Sequence, residues 1–149
     1  GNLDIAVSGN DYGNEVFNGR YDAMNGLVLL GDGKGSFKAQ TILQSGFFVP
    51  YDAKALIKLR SSNNSYLMAA SQNRAPLKVF QLRQNINNVP LQPGEVYAEI
   101  KNKNGTSRRQ EFYYGNSFLS QSGRFLSIDK NVASITIFSS KAGARVLNF

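Results

Sequence analysis

Apolar and polar residues alternate with a period of two along much of the chain, in short runs bounded by Gly, Asn, Asp and Ser. Successive side chains of an extended backbone point to opposite faces, so such runs predict half-buried strands. In the first part they fall at 3–7, 26–30, 37–43, 53–59, 66–70 and 77–82. In the second they fall at 96–101, 109–114, 118–119, 125–128, 134–138 and 144–149. No stretch keeps a 3.6-residue apolar period long enough for a helix, and the expected class is all-β. Alternation is clearest over 96–101, where Val96, Ala98 and Ile100 should face a core while Tyr97, Glu99 and Lys101 face water. Lys103-Asn104-Gly105 supplies the left-handed positions of a tight reversal, so the 109–114 run should return antiparallel beside it.

Periodicity lapses over 84–94, where Asn85, Asn87 and Asn88 precede Pro90 and Pro93, and this stretch reads as a linker. The expected organisation is a first region over 1–84, a linker over 85–94 and a second β domain over 95–149. Strand-like alternation begins immediately after Gly1, which predicts a processed or excised piece of a longer chain.

The segment Gly26-Leu27-Val28-Leu29-Leu30-Gly31-Asp32-Gly33-Lys34-Gly35-Ser36-Phe37 resembles the FG-GAP/VCBS repeat of integrin-like β-propellers. Glycines on alternate positions permit positive φ and a tight reversal. Asn2-Leu3-Asp4-Ile5-Ala6-Val7 is similar to the strand that follows the calcium loop of such repeats. The resemblance then implies that Asp4 is the remnant of that loop's last acidic position, the earlier ligands lying upstream of Gly1. An oxygen-ligand calcium site takes about six donors, so this piece is expected to hold no cofactor, and a calcium site would need the upstream part of the full-length protein. Residues 53–59, 66–73 and 77–80 resemble a loop-shortened last blade, with Arg60-Ser61-Ser62-Asn63-Asn64 where aspartates would stand. Glu99-Ile100-Lys101, Arg108-Arg109-Gln110-Glu111 and Tyr114-Gly115-Asn116-Ser117-Phe118-Leu119-Ser120-Gln121-Ser122 resemble the ASPIC/UnbV domain. Arg124-Phe125-Leu126-Ser127-Ile128 lacks the histidine and glycines of that family's His-Phe-Gly-Leu-Gly run. Together these resemblances imply propeller-type repeat strands, in an incomplete propeller, followed by a small antiparallel β-sandwich-like domain. They also imply upstream blades in the same parent chain, since closure takes about four.

Composition narrows the chemistry. The 149 residues include no cysteine and no histidine, which removes disulfides, thiolate metal sites and the commonest general base. Formal charge is +7, with 8 Lys/Arg against 3 acids from Val96 onward and 9 against 7 before it. A basic half suggests a polyanion such as an acidic polysaccharide, with Arg108 and Arg109 as contacts, or simply a solvated surface. No arginine-rich run or zinc-finger spacing points to nucleic acid, and no nucleic-acid partner is expected. No apolar run approaches the roughly 20 residues of a spanning helix. Gly31-Asp32-Gly33-Lys34-Gly35-Ser36 lacks the spacing and the helix of a phosphate-binding loop.

The remaining candidate is the long polar loop 9–25, with Asp11, Tyr12, Glu15, Arg20, Tyr21 and Asp22. Three readings of it stay open. Its acids and amides cap turns and pair with Arg20, or the loop binds a glycan or protein, or Asp11, Glu15 and Asp22 supply the two carboxylates of glycoside hydrolysis. Tyr113, Tyr114 and Phe118 near the two arginines form an aromatic-basic stretch that could stack on sugars. The expectation is a non-enzymatic binding or scaffolding module of an exported bacterial protein, placed outside the cell, at its surface or in the periplasm. A carbohydrate-active fragment acting through loop 9–25 and a polyanion binder are the alternatives.

Overall fold

The computed structural model describes residues 2–62, 65–84, 86–115, 121–141 and 143–149. In chain order the elements are β1 (Ile5–Val7), β2 (Leu27–Gly31), β3 (Phe37–Gln40), α1 (Ile42–Ser45), β4 (Ala53–Arg60), β5 (Tyr66–Gln72) and β6 (Ala75–Gln81). They continue with β7 (Asn87–Pro90), β8 (Glu95–Asn102), β9 (Ser107–Glu111), β10 (Phe125–Ile128), β11 (Val132–Ser139) and β12 (Ala144–Asn148). Every strand pairing among the described residues is antiparallel, and the all-β class read from the alternation holds.

Strands β1-β2-β3 and β4-β5-β6 make two three-stranded sheets in simple sequence order. Phe47, Val49 and Ala70 are buried between them, with Val28 from the first sheet and Leu56, Met68 and Phe80 from the second packed around. The Phe47 and Phe80 rings meet at 4.8 Å and 54°, a tilted contact that suits the quadrupoles of both rings. Gly26 admits this packing. Its φ is +98°, and a Cβ there would stand 2.9 Å from both the ring and the carbonyl oxygen of Phe47.

The remaining strands form a two-layer sandwich. The four-stranded sheet β12-β11-β8-β9 carries Ala98, Ile100, Val132, Ile135 and Ile137 on its inner face, and the β7–β10 pair closes over them with Val89, Leu126 and Ile128. Ala98 lies opposite Ile137 and Ile100 opposite Ile135, so the buried rows align across the sheet. The expected β8–β9 hairpin is present, with Lys101 opposite Ser107 and Gly105 at φ +84° in the turn.

Four expectations need correction. The 37–43 run ends as a strand at Gln40, because the Thr41 side chain accepts from the Gln44 amide while the Gln44 side chain accepts from the Thr41 amide. This reciprocal cap starts α1, which Gly46 closes in a left-handed conformation. The stretch read as a linker carries β7, paired with β10 from Asn87↔Ile128 to Pro90↔Phe125. Asn88 tolerates burial there because its side chain donates to the Ser65 carbonyl and accepts from the Ser127 hydroxyl. β9 stops at Glu111, short of the expected Tyr114. Val96 is exposed rather than inward, since the β8–β11 register jumps between Phe138↔Tyr97 and Ser139↔Glu95. That bulge turns Glu95 into the interior instead. The 118–119 strand lies outside the described residues.

Glu95 is accommodated by Arg145, whose Nε and Nη2 lie 2.5 and 3.1 Å from its two carboxylate oxygens, and by the Gln92 amide at 2.7 Å. Burial pushes the Glu95 carboxyl up, but these hydrogen bonds outweigh it and hold the group below its ordinary value.

The first region joins the second along β4 and β5. The Lys58 amide donates to the Ser122 hydroxyl at 2.9 Å and its carbonyl accepts the Gly123 amide at 2.7 Å. The Tyr66 and Phe125 rings meet there at 6.4 Å.

Candidate functional site

Loop 9–25 is a folded structure rather than a loose connection. Asn10 is buried at its base: the side-chain oxygen accepts the Met24 amide at 2.9 Å, and the side-chain nitrogen donates to the Asn25 side chain at 3.2 Å and the Pro50 carbonyl at 3.1 Å. One asparagine thus pins both ends of the loop. Just above it, Asp11 and Tyr21 exchange backbone hydrogen bonds of 2.9 and 2.7 Å, a single antiparallel rung.

The charged groups complete this frame. The Tyr12 hydroxyl donates to Asp22 at 2.6 Å, Arg20 Nε donates to the other Asp22 oxygen at 3.0 Å, and the Arg20 guanidinium sits 4.8 Å over the Tyr12 ring. The Tyr12 hydroxyl, then Arg20, hold Asp22 below the usual carboxylate range, and Asp22 in return pushes the Tyr12 phenol up. On the other side, Lys54 Nζ bridges Asp11 at 2.8 Å and Asp52 at 2.7 Å. Lys54 and the Gly13 amide lower Asp11, while the two carboxylates raise Lys54. Asp52 is only 2% exposed. It accepts from the Tyr12 amide at 3.2 Å and from the Asn73 side chain at 3.1 Å. Burial raises Asp52 and the hydrogen bonds from Lys54, Asn73 and the Tyr12 amide more than offset it.

Of the residues singled out in the sequence, Tyr12, Arg20 and Asp22 come together as one cluster, and Asp11 joins a second with Lys54 and Asp52. Glu15 stays apart at the tip, where its carbonyl accepts the Asn18 amide and Gly19 takes φ +66°. Tyr21 contributes its backbone to the rung and, as a residue, is 57% exposed. At the same tip Val16 and Phe17 are 101% and 82% exposed. The sequence reading missed Asp52, Lys54 and Asn73 as partners of the loop. Asp52 and Lys54 follow Pro50 at the mouth of β4, and their type alone marks them as groups that need counter-charges when covered.

Arg108 and Arg109 project to opposite faces of β9. Arg109 pairs with Glu111 at 2.6 Å and lies 3.7 Å over the Tyr97 ring, which stacks on Phe138 at 4.5 Å and 12°. Arg108 is half-buried, bonds Gln110 at 2.7 Å and is lowered by burial. Tyr113 and Tyr114 are exposed, with Arg124 3.9 Å over Tyr114, and Phe118 lies outside the described residues. Asp4 accepts the Gly31 amide at 3.0 Å across β1 and β2, and no group of three acids gathers around it among the described residues. An open cleft of about 470 Å³ beside the β8–β9 turn is lined by Asn2, Asn102, Lys103, Asn104, Thr106 and Asn131. Among the described residues no helix is long and apolar enough to cross a membrane.

No family model, no curated protein and no solved structure matches this chain.

Proposed function

We propose that the chain is a non-enzymatic binding or scaffolding module of an exported bacterial protein, in which loop 9–25 presents an apolar tip to a partner. One observation carries the reading: the loop spends most of its polar groups on its own frame and leaves Val16, Phe17 and much of Tyr21 outside it. A loop ordered before contact loses little further entropy on binding, and large apolar side chains that project from such a frame are the usual anchors of a protein interface. A protein partner is therefore favoured over a glycan.

The hydrolase alternative is less well supported. A glycosidase acid must keep its proton near neutral pH, and Asp11 and Asp22 are both held low. The polyanion alternative is weakened by the two faces that Arg108 and Arg109 occupy, one of them already engaged with Glu111. The FG-GAP/VCBS and ASPIC/UnbV resemblances, with calcium and further blades in the parent chain and a site outside the cytoplasm, are compatible with this reading.

The test is a panel of secreted proteins and glycans probed with the unaltered chain and with Val16→Ser plus Phe17→Ser. Binding should fall at least tenfold in the double variant, with unchanged circular dichroism and melting. Binding that survives the double variant refutes the reading, as does glycan turnover that disappears with Asp11→Asn.

A further inference from the structure

Asparagine is followed by glycine three times, at Asn18-Gly19, Asn25-Gly26 and Asn104-Gly105. In such a pair the glycine amide nitrogen can close on the asparagine side-chain carbon, since glycine has no Cβ to obstruct the approach. The step needs a side-chain amide free to turn, a glycine N–H not held in a hydrogen bond, and backbone with room to re-form around a ring. The fold grants these conditions to one pair and withholds them from the other two.

Asn25 and Asn104 are both fastened. The Asn25 side-chain oxygen accepts from Asn10 at 3.2 Å and its carbonyl accepts the Val49 amide at 2.8 Å. Gly26 stands so close to the ring and carbonyl of Phe47 that even a Cβ would lie 2.9 Å from each. The Asn104 side-chain oxygen accepts the Thr106 amide at 3.1 Å and the Thr106 hydroxyl at 2.7 Å, and the Gly105 amide donates to the Asn102 carbonyl at 3.0 Å. Asn18 carries none of these restraints. It is exposed at the end of the turn that its own amide closes onto the Glu15 carbonyl at 2.9 Å. Among the described residues neither its side chain nor the Gly19 N–H has a hydrogen-bond partner. Nothing stands within 4 Å of the place a Cβ would take on Gly19.

We propose that the fold singles out Asn18 as a covalent-modification site, where the loop tip deamidates through a cyclic imide to aspartate or isoaspartate. The Gly19 nitrogen, having lost its proton to hydroxide, attacks Asn18 Cγ while the side-chain carbonyl π pair moves to oxygen. The pair returns as the bond to the side-chain nitrogen breaks, and that nitrogen takes a proton from water and leaves as ammonia. One water molecule then opens the ring. Addition at Cγ restores the ordinary main chain with an aspartate at 18. Addition at the backbone carbonyl leaves the chain running through the side-chain carbon, as isoaspartate. One water enters and one ammonia leaves, and no oxidant or reductant is consumed. The step depends on no partner at the tip. Its product places a carboxylate next to the exposed Phe17, and the formal charge falls by one from +7.

The experiment incubates the full chain in warm buffer at about pH 8, folded or in guanidinium chloride, and follows deamidation by peptide mass spectrometry with an isoaspartate assay. Tryptic cleavage after Arg20, Lys34 and Lys103 places the three pairs on separate peptides. In the folded chain Asn18 should be lost at least tenfold faster than Asn25 and Asn104, with isoaspartate among the products and a rate that rises with hydroxide concentration. In guanidinium chloride, where the restraints on Asn25 and Asn104 are gone, the three rates should come together. Loss at Asn18 no faster than at either other pair in the folded chain overturns the proposal. So does a product free of isoaspartate, or a lead for Asn18 that persists undiminished in the denaturant.

Discussion

Replacing Glu95 with Gln probes the buried ion pair that the β8 bulge creates. The substitution keeps the shape of the side chain and removes its charge. Gln would turn its one acceptor oxygen toward Arg145 and set its amide against the Gln92 N–H, exchanging an attraction of 2.7 Å for two donors face to face. A charge-assisted hydrogen bond contributes about 1.5–3 kcal/mol, and loss of one partner of a fully buried pair costs about 3–5. The Arg145 side chain is 33% exposed, so water recovers part of the loss, and an expected cost of about 2 kcal/mol at pH 7 follows. The pH dependence has a definite sign. The folded-state value of Glu95 lies below its unfolded one, so its stabilisation is complete above about pH 4.3 and is lost as pH falls through the folded value. A protonated Glu95 also offers a hydroxyl donor to Gln92 and behaves like Gln, so the two proteins should converge toward pH 3. Urea unfolding followed by circular dichroism and tyrosine fluorescence measures both limits. A difference under about 0.5 kcal/mol at pH 7, or one undiminished at pH 3 with unchanged m-values, would show that the pair does not work as described.

Two further perturbations test the packing. Gly26→Ala forces a Cβ onto the Phe47 carbonyl at a φ of +98° and should cost at least about 1–3 kcal/mol, read as a fall in melting temperature and weaker protection of Val49, whose amide bonds the Asn25 carbonyl. Ile135→Ala, at a fully buried position opposite Ile100, should cost about 2–5 kcal/mol in chemical denaturation, and a change under about 1 would mean that the sandwich core lies elsewhere.

Much of the fold is legible in the sequence because side-chain direction alternates with a fixed period. The 96–101 run and the Lys103-Asn104-Gly105 turn sufficed to place the β8–β9 hairpin. Three features were not visible for specific reasons. β7 was hidden because asparagine is a turn residue by default, and the Ser65 carbonyl and Ser127 hydroxyl that help make Asn88 acceptable inside a sheet lie 23 and 39 residues away. α1 was overlooked although Thr41-Ile42-Leu43-Gln44 spells a reciprocal cap. The inversion at Glu95 depends on a bulge whose register is set by β11, more than 35 residues away. For the candidate site, the pairing of Arg20 with Asp22 was readable locally, whereas Lys54 and Asp52 reach the loop across some 40 residues and carry no periodic signature.

The seam between β4 and the chain before β10 joins main-chain hydrogen bonds and the hydroxyl of Ser122 to the contact of the Tyr66 and Phe125 rings. Peptide groups are the same in every residue, so drift at positions 58 and 123 can proceed without parting the two regions, provided that position 123 stays small beside Phe125. Asn88 has less latitude, since one amide side chain there both donates to the Ser65 carbonyl, which the Ser61 amide also reaches, and accepts the Ser127 hydroxyl under cover.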